Sequence, residues 1–241
     1  MADTTDEALI DRLGDELYDA LRARRTLAPL TERHPAIAVD DAYRISLRFL
    51  ARREADGERV TGKKIGVTSK AVQDMLGVFQ PDFGFLTDKM LVMDVGSTKR
   101  DVIDAGRRAL REHVGSFVPA HPITGKEVSG VDNADADLYT GRQVILTPIE
   151  RTLTVQLQKA VDVWTALGCR VLKMSPEQHD AAFAAVSHLP HLIAFALMNA
   201  ISGQPQGKDY LSLAGPGFRD FTRIAASDPK VWRDILVSNR E

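Results

Sequence analysis

A single cysteine, Cys169, stands among the 241 residues, so no internal disulfide can form and a reducing compartment is expected. Charge of one sign is also lacking. Lys plus Arg number 31 against 33 Asp plus Glu, a net charge of −2. That balance offers no basic field to nucleic acid or to an anionic membrane surface. Long apolar runs are scarce, and the strongest, Leu192–Met198, is too short to cross a bilayer. The start, Met1 to Glu7, is acidic and lacks the basic-then-apolar order of a secretion signal. A glycine-rich dinucleotide loop is missing as well. The sole Gly-x-Gly, Gly215-Pro-Gly217, carries a proline inside it, has Asp220 where a third glycine belongs, and follows a helical region. Gly57-x-x-x-x-Gly62-Lys63 approaches a phosphate loop, yet Lys64 occupies the place of the magnesium-holding hydroxyl and no helix start follows. Repeats and low-complexity tracts are absent. With 44% hydrophobic and 27% charged residues, the expectation is a soluble cytoplasmic globular protein of one large or two small domains.

What is present reads as helix first. Thr4-x-x-Glu7 has capping-box spacing, and Leu9, Leu13, Leu17 and Leu21 recur every four residues. A second helix is expected from Asp40, ended near Gly57. Gly62–Lys70 reads as strand and turn, and 71–76 as one or two helical turns. Beyond residue 90 the grammar becomes strand, helix, strand. Leu91–Val95 is expected to be a buried strand, Arg100–His113 an amphipathic helix, and Phe117–His121 and Gln143–Thr147 further strands of a parallel sheet. After Pro148 the pattern is helical: Leu153–Leu167, a helix capped by Ser187 with Pro190 near its start, and one capped by Asp228-Pro229.

Three groups of side chains could carry chemistry. His121, just after a strand, can accept a hydroxyl proton near neutral pH, or can be a turn histidine satisfied by backbone; spacing leaves both open. His188 and His191 would share a helix face. Zinc asks for three or four protein ligands, and the nearby candidates, His179 and Cys169, stand at irregular spacing, so two polar residues facing a cleft is the stronger reading. Arg219, Arg223 and Arg233 can clamp carboxylates, though spacing alone favours surface pairing with Asp220, Asp228 and Asp234.

Dense motifs then point to a family. Asp94-Val-Gly-Ser-Thr-Lys99, Phe117-Val-Pro-Ala-His-Pro-Ile-Thr-Gly-Lys-Glu127-Val-Ser-Gly130, Ile145-Leu-Thr-Pro148, Met174-Ser-Pro-Glu-Gln-His-Asp180, Ala185-Val-Ser-His-Leu-Pro-His191 and the stretch from Gly217 to Asp234 resemble prephenate dehydrogenase over about residues 91–241. A different block, 1 to about 89, is similar to the N-terminal part of 2-hydroxypentadienoate hydratases and the related 4-oxalocrotonate decarboxylases. It carries Asp41-Ala-Tyr43, Gly62-Lys-Lys-Ile-Gly-Val-Thr-Ser-Lys70, Met75-Leu-Gly77 and Pro81-Asp-Phe-Gly84. The chain therefore reads as a chimera joined near residues 88–93.

The resemblance implies α/β plus all-α architecture. An α+β hydratase-like fragment over 1–90 would precede an incomplete Rossmann-like parallel sheet over 91–149. A helical substrate and dimerisation domain over 150–241 would follow. It implies NAD-dependent oxidative decarboxylation of prephenate to 4-hydroxyphenylpyruvate in tyrosine biosynthesis. The roles it suggests are His121 as acceptor of the substrate hydroxyl, Ser97 as the group orienting His121, and Arg223 as carboxylate clamp. Ser187, His188, His191, Glu127 and Trp232 would line the pocket. The implied partners are the small-molecule substrate and a second copy, paired through the C-terminal helices. The cofactor would be NAD, bound poorly because the glycine loop is absent. The alternative implied by the first block is a magnesium-dependent hydro-lyase in which Lys64 polarises a 2-oxo acid, or else a non-catalytic fusion.

Overall fold

The computed structural model describes residues 6–68, 70, 73–74, 77–126 and 133–240. Thr4, most of the helical turn expected at 71–76, and Glu127 lie outside the described residues. The chain divides into two compact units, Met1–Met90 and Leu91–Glu241.

In the first unit, α1 (Glu7–Ala23), a single turn α2 (Leu30–Arg33) and α3 (Val39–Ala55) precede two strands. Asp6, not Thr4, caps α1: its carboxylate accepts the Ala8 N–H at 3.2 Å, which makes Glu7 the first helical residue. Ile10 and Leu13 of α1 bury against Ile45 of α3. Strand β1 (Val60–Gly66) pairs antiparallel with β2 (Asp82–Thr87), Lys64 opposite Gly84. Gly62 is thus a strand residue rather than a loop before a helix, and the phosphate-loop spacing has no cradle behind it. A buried cluster ties α3 to β2. Arg53 Nη2 donates to Glu58 Oε2 at 2.6 Å, and Thr87 Oγ1 donates to the same oxygen at 2.6 Å. Ile65 and Phe83, paired across the hairpin, are both more than half exposed.

The second unit contains a mixed sheet, not the parallel one expected. Its order is β3 (Ala120–Pro122), β4 (Gln143–Leu146), β5 (Arg170–Lys173), with β3 antiparallel to β4 and β4 parallel to β5. Connections explain the senses. Helix α4 (Arg100–Leu110) returns the chain between Val92 and Phe117, which bridge in parallel, and α5 (Thr154–Ala166) does the same between β4 and β5. Between β3 and β4 no α-helix intervenes among the described residues, and that pair is antiparallel. The expected strand Leu91–Val95 contracts to the single bridge at Val92, and Val95 is exposed. Arg100–His113 is helical only to Leu110, after which residues Arg111–Ser116 tighten into a 3₁₀ turn. Val118, Ala120, Val144 and Leu146 form a core with Ala160 and Trp164 of α5 and with Cys169. Ile103 of α4 buries beside Val114, Phe117 and Ile149.

The helical remainder opens with one continuous run, α6 (Pro176–Phe183), a π turn (Ala184–His188) and α7 (Leu189–Ser202). Ser187 therefore caps nothing; it lies inside the π turn. The cap is Ser175, whose hydroxyl accepts the Gln178 N–H at 3.1 Å while the Gln178 amide oxygen accepts the Ser175 N–H at 3.1 Å. Pro190 has no N–H to donate, and the π turn ahead of it lets the run continue. At 27 residues, Pro176–Ser202 is long and apolar enough to cross a membrane by length and composition, unlike the short run read from sequence. Helices α8 (Gly207–Ser212), α9 (Pro216–Thr222) and α10 (Pro229–Ser238) complete the unit, with Asp228 capping α10 as its sequence suggests.

Candidate functional site

Val92 and Phe117 bridge in parallel, and the loop after Met93 runs beside β3, Asp94 accepting the Ala120 N–H at 3.0 Å, at an end of the strands where ligands settle in open α/β sheets. A cleft of about 500 Å³ opens there. Ser97, His121 and Thr124 form one wall. Phe183, Ser187 and His191 come from the long helical run, and Arg223 and Trp232 close the cleft from the C-terminal helices. Of the residues singled out in the sequence for the dehydrogenase-like block, Ser97, His121, Arg223, Ser187, His191 and Trp232 thus meet at one place. His121 is the middle residue of β3 rather than a residue of the following loop.

His188 is not on this wall. It is buried, with Nδ1 at 3.1 Å from the Asn239 side-chain amide, which must donate to it. Its ring meets Trp232 edge-on, whereas His191 stacks flat on the same indole with centroids 3.4 Å apart. His191 Nδ1 donates to the Ser187 carbonyl at 2.8 Å, leaving Nε2 as the acceptor nitrogen. Arg233 pairs with Asp234 at 2.7 Å on the surface, the reading that spacing favoured, while Arg223 goes to the cleft. Glu127 falls outside the described residues. Lys64 lies in the other unit, exposed, its Nζ 3.0 Å from Asp82.

Two residues that the sequence did not mark as site residues hold His121. Its Nδ1 lies 2.8 Å from Nε2 of His179, and His179 Nδ1 lies 2.8 Å from the Asp180 carboxylate. Phe183 packs on both rings. His179 and Asp180 are fully buried, and the Asp180 oxygens accept the backbone N–H groups of Lys99 and Arg100, at 2.9 and 3.0 Å, at the start of α4. The sequence did contain a signal. The Ser175–Gln178 capping box starts a helix, and an adjacent His-Asp pair in its first turn points inward.

Electrostatics follow from this packing. Burial, with the neighbouring His179 and Lys99 adding to it, pushes His121 down to about 3, so it is a neutral imidazole at pH 7. Burial alone would raise Asp180. The hydrogen bonds from His179 and from the Arg100 and Lys99 amides outweigh it and hold the carboxyl at about 2. Burial also lowers His188 and His191. Lys99, wholly enclosed, donates to Asp94 at 2.5 Å and to the Ala120 carbonyl at 2.6 Å, tying the cleft loop to β3. Chemically the cleft offers a neutral imidazole, a guanidinium and flat aromatic surface: fittings for a ring bearing a hydroxyl and a carboxylate.

A dinucleotide's pyrophosphate needs glycine N–H groups between a strand and a helix N-terminus. Gly57 follows a helix, Gly62 and Gly66 lie in antiparallel β1, Gly96 stands between Val92 and α4 but gives its N–H to the Asp94 carboxylate at 2.9 Å, and Gly215 precedes the seven-residue α9. The described residues do not fit that group. Nor do they gather three or more His, Cys, Asp or Glu side chains into a metal cage.

Comparison with known proteins adds four findings. The family model described as prephenate dehydrogenase, nucleotide-binding domain, matches residues 36–173, and that of prephenate dehydrogenase, dimerization domain, matches 175–241. The cyclohexadienyl dehydrogenase of Zymomonas mobilis is 37% identical over 156 residues, 64% of this chain and 53% of that protein. The solved prephenate dehydrogenase of Aquifex aeolicus in complex with hydroxyphenyl propionate and NAD+ is 43% identical, with a TM-score of 0.58, covering 64% of this chain and 54% of that one. Over a different segment, the 2-hydroxyhexa-2,4-dienoate hydratase of Comamonas testosteroni is 66% identical across 86 residues, 36% of this chain and 33% of that protein. The chain thus spans about half the length of these dehydrogenases and a third of the hydratase.

Proposed function

The chain belongs to the prephenate dehydrogenase family, and from that premise we propose that its second unit is the substrate-holding part of an enzyme that oxidatively decarboxylates prephenate to 4-hydroxyphenylpyruvate, a cytoplasmic step of tyrosine biosynthesis. The observation that carries this reading is the neutral His121 facing the same cleft as Arg223. A neutral imidazole accepts the hydrogen bond of the ring hydroxyl and can hold its proton as the carbon–oxygen bond becomes a carbonyl. Arg223 offers two parallel N–H groups to a carboxylate. Trp232, with His191 stacked on it, supplies a flat wall for the ring. Ser97 and Ser187 place hydroxyls along the cleft, Ser97 where it can help orient His121 or the bound hydroxyl. His188 supports the pocket from behind Trp232, and the resemblance assigns a pocket role to Glu127, which lies outside the described residues.

NAD is the family's hydride acceptor, and a relative is solved with it. The described residues do not cradle its pyrophosphate. Calorimetric titration separates the two halves of the proposal. Hydroxyphenylpropionate is expected to bind the wild-type chain and to bind at least tenfold more weakly to Arg223→Ala, about 1.4 kcal/mol. NAD is expected to give no micromolar binding, and prephenate with NAD to give little NADH. Absence of hydroxyphenylpropionate binding would defeat the reading.

The first unit favours a second reading, of hydratase type, on its 66% identity to a hydratase. There Lys64 would polarise a 2-oxo acid beside magnesium. Lys64 pairs instead with Asp82, and we expect no magnesium-dependent loss of dienol absorbance.

A further inference from the structure

Deepening the reading that His121 accepts the substrate hydroxyl, we propose that His179 and Asp180 are positioning residues that fix which nitrogen of His121 is free to accept it. The order of hydrogen bonds dictates the direction. Asp180 Oδ1, an oxygen without a proton, can only accept, so His179 Nδ1 donates to it across 2.8 Å. A neutral His179 then has a bare Nε2, which must accept from His121 Nδ1–H across 2.8 Å. That leaves the lone pair of His121 on Nε2. In water a neutral histidine side chain favours the opposite arrangement, with hydrogen on Nε2 and the lone pair on Nδ1. The buried pair therefore inverts the intrinsic preference and converts a donor nitrogen into an acceptor.

The carboxylate of Asp180 already receives the Lys99 and Arg100 amides and the Arg100 guanidinium, 3.4 Å away, so its charge is answered without a second cation beside His121. Phe183, stacked on His179 and tilted against His121, holds both rings in register. Asn239 donates to the Asp180 backbone carbonyl at 2.8 Å and anchors that turn. No covalent bond changes in this arrangement. When His121 takes the hydroxyl proton on Nε2, it keeps its Nδ1–H on His179, and the Asp180 charge faces the new imidazolium through one ring.

The test is long-range 1H–15N NMR of the histidine rings in the full chain, without ligand, at pH 7. A nitrogen carrying hydrogen and a bare nitrogen resonate far apart. The expected result is His121 with hydrogen on Nδ1 and a bare Nε2, and His179 likewise. In His179→Phe, which keeps the ring volume but removes the acceptor, His121 should revert toward the Nε2–H form. In His179→Gln, whose oxygen stands near the lost Nε2, the wild-type form should return. A wild-type His121 with hydrogen on Nε2, a doubly protonated His179, or a His121 unchanged in a folded His179→Phe chain would each overturn the relay. Wild-type spectra suffice should that variant not fold. Hydroxyphenylpropionate added to the same sample should shift His121 Nε2. If it does not, the assignment of His121 to the substrate fails, and the tautomer result still decides the relay.

Discussion

At the scale of the residue, the cleft is a set of groups held away from their ordinary protonation. His121 stays neutral down to about 3, whereas an unfolded chain protonates it near 6.5. Between those values the unfolded state binds more protons than the folded one, so stability is fully present above about 6.5 and declines as pH falls through the window. His188 and His191, both lowered by burial, act with the same sign. Asp180 extends the loss below its ordinary 3.8, toward about 2, because its carboxylate form is the one the fold holds. Urea midpoints taken from pH 7.5 to 4 should therefore fall steadily. His121→Gln should flatten the curve by at most about 1.4 kcal/mol per pH unit across the histidine window. A midpoint independent of pH there would contradict the burial of these rings.

Elements are set by a few close approaches. Helix α4 lies on β3's lead-in through Gly106: a Cβ at that position would stand 2.7 Å from the Phe117 ring. The contact matters twice, because Phe117 is core and because the first N–H groups of α4 grip Asp180. Gly106→Ala should cost about 1–3 kcal/mol through overpacking, against a helix propensity that alone would favour alanine. A stabilised Gly106→Ala chain in thermal unfolding would show that α4 does not sit this close. The π turn at Ala184–His188 is the other such element. It carries Ser187 to the cleft and buries His188, and it does so where Pro190 could otherwise have broken the run.

At the scale of the whole molecule, the long helical run presents an exposed apolar face. Val186, Leu189, Leu192 and Ile193 are each close to half exposed or more, on a segment long enough to span a bilayer. The same run supplies Phe183, Ser187 and His191 to the cleft, and its family model is a dimerization domain. We expect a second copy to cover this face. Sedimentation should show a dimer, and Leu192→Glu with Ile193→Glu should shift it to monomer while raising solubility. A monomeric wild-type chain, or partition into vesicles, would refute that pairing.

Much was legible in the residues alone. The family resemblance, the two unlike blocks and the helix cap at Asp228 rest on local motifs that sequence states directly, and the choice of His121, Arg223 and Trp232 came with the resemblance, since spacing alone left His121 open and favoured surface pairing for the arginines. Strand sense was not legible, because it depends on whether a helix carries the chain back across the sheet, and the described residues between β3 and β4 hold none. The continuity of the long helical run through Pro190 was not legible either: its start carries a capping-box signal at Ser175 and Gln178, but the π turn that lets it pass Pro190 carries none. His179 and Asp180 reach His121 from 58 positions along the chain, a meeting that only α6 folded against β3 could decide. Composition and motif determined what chemistry the chain owns. Tertiary structure decided which nitrogen, in which protonation state, faces the cleft, because burial and hydrogen-bond direction exist only once distant elements touch.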